Sequence, residues 1–286
     1  MSSGFRALHP FVIFIYYSGA ILLLLFMFHP AFIVVAMIVM CAVNVLYDGG
    51  RQLWRWKKMI LITSLLFVGI NIFTSQRGSH LLWQVGDHRI TLEATLYGMM
   101  MAGTIFLVLA LFVSYQQVLT MDQFFYLFAR ITPQWALLSA LAIRFVPLMK
   151  LRLEEIQKVQ HLQHRGSLKS WKLKIKEKMK RLEVLMTWSL EGGLQTAESM
   201  KARGYGTVKR RTAYTLYRWR ISDFLYFVFL SVLFTLCIWG WIHGLGRLEI
   251  YPVMENGALS MYEWIVLGGY LTYLSFPIYV EIGADA

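Results

Sequence analysis

The chain has 286 residues, of which 57% are hydrophobic and 15% aromatic, and only 15% are charged. A soluble domain carries about 25% charged residues, so this composition excludes an ordinary globular enzyme and indicates an all-α, polytopic membrane protein. The formal net charge of +12 is confined to residues 150–221, which hold 18 Lys/Arg against 6 Asp/Glu, while the rest of the chain is balanced. In an apolar protein such a block marks the cytoplasmic side and meets anionic headgroups rather than nucleic acid.

A membrane-crossing helix needs about 20 mostly apolar residues. Met1 to Pro10 shows no removable signal pattern. Phe11 to Phe28 and Ala31 to Tyr47 read as the first two spans, separated by a tight turn at His29-Pro30. Asp48 to Lys58 is basic and Trp-bearing and reads as a cytoplasmic interface loop. Met59 to Thr74 is the third predicted span, Ser75 to Thr91 a polar outer segment, and Leu96 to Tyr115 the fourth span. Both cysteines, Cys41 and Cys237, fall in apolar runs as small hydrophobes.

From Met121 the pattern becomes interfacial, with Phe124, Phe125, Leu127 and Phe128 among polar residues. Pro133 breaks it, Trp135 to Phe145 is apolar around Arg144, and Pro147 closes that part. Arg144 should face other protein, because a charge in an apolar helix is costly. Periodicity leaves open whether 135–149 crosses, re-enters or lies along the bilayer.

Leu153, Ile156, Val159 and Leu162 then form one stripe of a helix ending at Gly166. Trp171, Ile175, Met179, Leu182 and Met186 form a second stripe, with lysines interleaved, on an amphipathic helix running to Gly204. Gly192-Gly193 inside it would permit a close helix crossing. Phe224 to Trp241 and Trp264 to Tyr279 complete six predicted spans around a net-acidic outer loop, with both termini cytoplasmic. The division is thus residues 1–117 with about four spans, 118–221 as a water-side unit, and 222–286 with two spans.

The two amphipathic helices end alike, in Gln163-His164-Arg165-Gly166 and in Lys201-Ala202-Arg203-Gly204-Tyr205-Gly206. Gly after a helix caps it in the left-handed conformation, and a basic residue in the last turn complements the dipole. Taken alone, either is an ordinary cap. Repeated 38 residues apart on one basic segment, the arginines offer fixed donor forks to another protein.

With these motifs the sequence resembles the T component, or transmembrane scaffold, of energy-coupling-factor (ECF) transporters, which carries two Ala-Arg-Gly motifs on cytoplasmic coupling helices. Ala202-Arg203-Gly204 matches the second in full; His164 stands in place of the first alanine, before Arg165-Gly166. Ile90 to Ala94, Asp122 to Leu127, Arg144 to Pro147 and Arg210 to Tyr214 fit the same pattern. The resemblance implies a pair of crossed coupling helices whose ends, Arg165, Gly166, Ala202, Arg203 and Gly204, seat in two cytoplasmic ATPase subunits. Trp171, Ile175, Met179, Leu182, Met186, Gly192 and Gly193 would serve helix packing and contact with a separate substrate-binding membrane subunit. It further implies vitamin or metal-ion uptake across a bacterial or archaeal plasma membrane, with ATP and magnesium used by the partners.

No phosphate-cradling GxxxxGK[ST] occurs, since none of the 21 glycines precedes Lys, so the chain is expected to be non-catalytic and to bind no cofactor. His161 and His164 share a helix face without a third metal ligand. Two other classes stay open on the residues alone. A membrane-embedded hydrolase would use Glu154 and Glu155; an autonomous carrier or channel would need acidic residues along a path, and the predicted spans contain almost none.

Overall fold

The computed structural model describes residues 4–74, 81–85, 88–129, 132–163, 171–207, 217–248 and 259–285, with backbone alone for 81–85, 88–90, 160–163, 174 and 285. Among the described residues the chain is all-α apart from one small hairpin. Its helices are α1 (Pro10–Phe26), α2 (Pro30–Asp48), α3 (Arg51–Thr74), α4 (Leu92–Val118), α5 (Met121–Ala129), α6 (Pro133–Gln163), α7 (Trp171–Ala202), α8 (Ile221–Ile242), α9 (Met261–Leu274) and α10 (Phe276–Asp285). Two compact units result: residues 1–124 with 217–286, and residues 125–216.

Among the described residues, α2, α3, α4 and α8 are long and apolar enough to cross a bilayer, and α9 with α10 makes a fifth crossing if the bent pair is one span. At 17 residues, α1 lies at the short limit of about 17–25 for a spanning helix.

Helix starts follow local chemistry. His9 and His29 each precede Pro at the first helical position, where its missing N–H costs nothing, and each imidazole Nδ1 accepts the N–H two residues on, from Phe11 and Ala31, at 3.2 Å. Thr91 caps α4 through the Ala94 N–H at 3.3 Å. Thr120 and Gln123 form a reciprocal box at the start of α5, and Ser260 with Glu263 does the same for α9.

Four predicted boundaries move. The basic stretch from Arg51 is not a loop but the first two turns of α3, because Gly49 and Gly50, both left-handed (φ 58° and 74°), complete the turn and Arg, Gln, Leu and Lys are good helix formers. Part of the polar outer segment is an antiparallel hairpin, β1 (Leu81–Val85) with β2 (His88–Thr91). Pro147 lies inside α6 rather than closing it, a position that removes one internal hydrogen bond. The last predicted span breaks between α9 and α10 with a bend of 47°, where Pro277 cannot donate.

The core of the larger unit is aromatic. Tyr16, Tyr17, Phe32, Tyr270, Tyr273 and Phe5 are all essentially inaccessible. The Tyr16 hydroxyl donates to the Leu274 carbonyl at 2.9 Å, at the break of the last span. Tyr273 donates to the Tyr16 carbonyl at 3.1 Å, and Tyr17 shares a 2.7 Å bond with Ser114 Oγ. Hydroxyls in an apolar surround need such partners. Gly19 admits Tyr273, since a Cβ there would overlap the tyrosine hydroxyl. Asp223 accepts N–H bonds from Arg220 (3.0 Å) and His9 (3.3 Å), tying the start of α8 to that of α1.

Candidate functional site: a capped arginine on the end of the basic helix pair

Within the smaller unit, α6 and α7 pack together. The Arg152 guanidinium lies over the Trp188 ring at 4.5 Å, and a Cβ on Gly192 would stand 3.7 Å from Phe145. Residues rising in number along α6 thus meet residues falling along α7, so the pair is antiparallel. Gly192 faces the neighbouring helix, whereas a Cβ at Gly193 would meet nothing within 4 Å. A Cβ at 3.7 Å is ordinary van der Waals contact, so within this chain the crossing requires neither glycine.

The end of α7 is closed by a complete set of capping bonds. Arg203 N–H donates to Ser199 O at 3.1 Å, Gly204 N–H to Lys201 O at 3.0 Å, and Tyr205 N–H to Met200 O at 3.0 Å. With Gly204 left-handed at φ 80°, the last two are the paired bonds of a Schellman cap. Thr207 locks the following loop, donating to Gly204 O from its hydroxyl at 2.7 Å and from its N–H at 3.2 Å. A Thr three residues past a capping Gly is the sequence signal for this loop bond.

The end of α8 provides an internal comparison. His243-Gly244 closes it by the same two bonds, Gly244 N–H to Trp241 O and Leu245 N–H to Gly240 O, with no arginine. The cap requires the glycine and not the guanidinium. Arg203 is exposed, and its side chain has no hydrogen bond or ion pair among the described residues. Ala202 is also exposed. This leaves an exposed cation with its side-chain donors open on a capped helix end.

His164, Arg165 and Gly166 lie outside the described residues, as does the side chain of His161. The stripe on α7 is uncovered within the chain: Trp171 is 75% exposed, Met186 64% and Met179 59%, and Ile175 and Leu182 are exposed too. Glu177 and Arg181 form a 3.6 Å pair on the same helix. Arg144 is exposed on α6 rather than buried against a neighbour in this chain. Glu154 and Glu155 are exposed as well, and Glu155 is held by Arg152 at 2.9 Å. Among the described residues no three His, Cys, Asp or Glu side chains gather as metal ligands would.

A profile of the CbiQ family, described as cobalt transport protein, matches residues 12–214. The "Energy-coupling factor transporter transmembrane protein EcfT" of Listeria innocua serovar 6a is 33% identical over 107 residues, covering 36% of this chain. The match spans 40% of that relative's length. The profile takes in the spans from α1 to α4, the antiparallel pair and the capped arginine together, and the chain belongs to the CbiQ/EcfT family of transporter membrane components.

Proposed function

We propose that this chain is the transmembrane scaffold of an ECF-type importer, and that Arg203 and Arg165 anchor two cytoplasmic ATPase subunits. The observation that carries the reading is the open guanidinium of Arg203 on a helix end that is already fully capped without it. A capped helix end resists fraying, so a pull on a guanidinium there passes into the helix. The exposed face from Trp171 to Met186 offers an apolar track for a separate membrane subunit that binds a vitamin or metal ion. ATP-driven closure of the ATPase pair would displace the antiparallel helices and tip that subunit. ATP and magnesium belong to the partners. Counting α1 and the bent α9–α10 pair, the chain crosses the plasma membrane of a bacterium or archaeon six times, with residues 125–216 in the cytoplasm. Against the hydrolase alternative, Glu154 and Glu155 are exposed within this chain and Glu155 is paired with Arg152.

The test is co-expression with ATPase and substrate-binding subunits, comparing wild type with Arg165→Ala/Arg203→Ala. Loss of ATPase co-purification and of ATP-dependent uptake, with the membrane unit still folded, is the expected outcome. Uptake at the wild-type rate in the double variant refutes the assignment.

A further inference from the structure

The first two turns of α3 carry Arg51, Trp54, Arg55, Lys57 and Lys58, all exposed. None of the four cations has a salt bridge among the described residues, and the nearby carboxylate, Asp48, pairs with none of them. Lys57 Nζ stands 2.8 Å from the centre of the Trp54 ring, and that ring is itself 70% exposed. Gly49, Gly50, Arg51, Trp54 and Arg55 line an open groove of about 370 Å³. A soluble helix would scatter such charges among carboxylates; this one gathers them.

The spacing gives the cluster a direction. Arg51, Arg55 and Lys58 fall at i, i+4 and i+7, and the same stripe continues at i+11 and i+14 with Ile62 and Leu65, which are 62% and 66% exposed. At 1.5 Å per residue the stripe is about 21 Å long, with a cationic half followed by an apolar half. That length approximates one leaflet including part of its headgroup layer, given a hydrocarbon core of about 30 Å for the whole bilayer. Only 6% of the apolar window of α3 is buried within the chain, so the stripe is open along its length. A ligand matching it has an anionic head and an apolar tail joined end to end.

We propose that this face of α3 is a binding site for an anionic phospholipid. Its phosphate sits among Arg51, Arg55 and Lys58 beside the Lys57-capped Trp54, and an acyl chain lies along Ile62 and Leu65. Arginine suits the phosphate because its planar fork donates two parallel hydrogen bonds. Tryptophan suits the depth, because its amphipathic ring settles at the headgroup level. The site lies on a different unit from Arg203 and does not depend on the ATPase reading.

The experiment is native mass spectrometry of the full chain released from micelles holding equal amounts of phosphatidylglycerol and phosphatidylcholine. Each cation near an anionic surface contributes about fivefold in affinity. Wild type should therefore retain phosphatidylglycerol preferentially, and Arg51→Gln/Arg55→Gln/Lys58→Gln should lose that preference by on the order of tenfold or more. Arg51→Lys/Arg55→Lys should retain only part of it, since the charge stays but the paired donors are lost, and Arg203→Ala should leave it unchanged. Inorganic phosphate at millimolar concentration should not displace the lipid, since it lacks the tail. The proposal is overturned if wild type holds both lipids equally, if the triple variant keeps its preference, or if phosphate alone competes the lipid off. It also fails if a partner membrane protein, rather than lipid, protects Ile62 and Leu65 from labelling.

Discussion

Replacing Gly19 by alanine should fracture the contact between the first and last parts of the chain. A Cβ at Gly19 overlaps the Tyr273 hydroxyl and would stand 3.1 Å from Tyr273 Cζ and 3.3 Å from Phe234. The tyrosine must swing away and lose its 3.1 Å bond to the Tyr16 carbonyl. Forcing a methyl into a packed core costs about 1–3 kcal/mol, and an interhelical hydrogen bond in a membrane contributes about 0.6 kcal/mol and at most about 1.7. Gly19→Ala should therefore destabilise by about 2–4 kcal/mol, a fall in Tm on the order of 5–10 °C, read by thermal-shift size exclusion in detergent. Tyr273→Phe alone loses only the bond, about 1 kcal/mol. The double variant removes the overlapping oxygen, so it should be more stable than Gly19→Ala by about 1 kcal/mol or more, a strong departure from additivity. Additive losses within about 0.5 kcal/mol would show that the steric account is wrong.

Four further outcomes follow from the geometry. Gly204→Ala forces a side chain into the left-handed region and should cost about 1–2 kcal/mol, seen as faster hydrogen exchange in the last turn of α7. Arg203→Ala should leave that exchange unchanged and weaken ATPase binding instead. His29 caps α2 as a neutral acceptor, and burial lowers its pKa below 6.5, against the opposing pull of Glu263. The unfolded chain then binds the proton more readily, so stability is full above about pH 6.5 and declines as pH falls from there toward the lowered folded value. His29→Asn, a strong cap that does not titrate, should flatten that decline in thermal scans between pH 7.5 and 5.5. Pro147→Ala restores an N–H inside α6 and should stabilise that helix by about 3 kcal/mol, measured as slower exchange near Ile143.

The apolar spans were legible because a run of 20 hydrophobic residues has few alternatives in folding. The arginine motif was legible because a Gly after a polar helix is a backbone demand that few other residues meet. At Arg51 charge suggested a loop, but two glycines had already finished the turn and the residues after them favour helix. The hairpin carried its own signal, Gly86-Asp87 between Leu/Trp/Val and Ile/Thr runs. Pro277 announced the break in the last span, as Pro147 failed to announce one in α6. Proline fixes φ and removes a donor, but neighbouring packing decides whether the helix resumes. Pairings such as Tyr16 with Leu274 were invisible in the sequence, because nothing local at either residue names a partner so far away.

That pairing bears on biogenesis. The 258 residues between Tyr16 and Leu274 take roughly 13–50 s to translate at about 5–20 residues per second. Throughout that interval the opening helix sits in the translocon's surroundings with the Tyr16 hydroxyl awaiting its acceptor, whereas Tyr17 meets Ser114 earlier. Completion of this protein is therefore a late event, and a ribosome stalled before Leu274 leaves the Tyr16 hydroxyl without that acceptor for quality control to recognise.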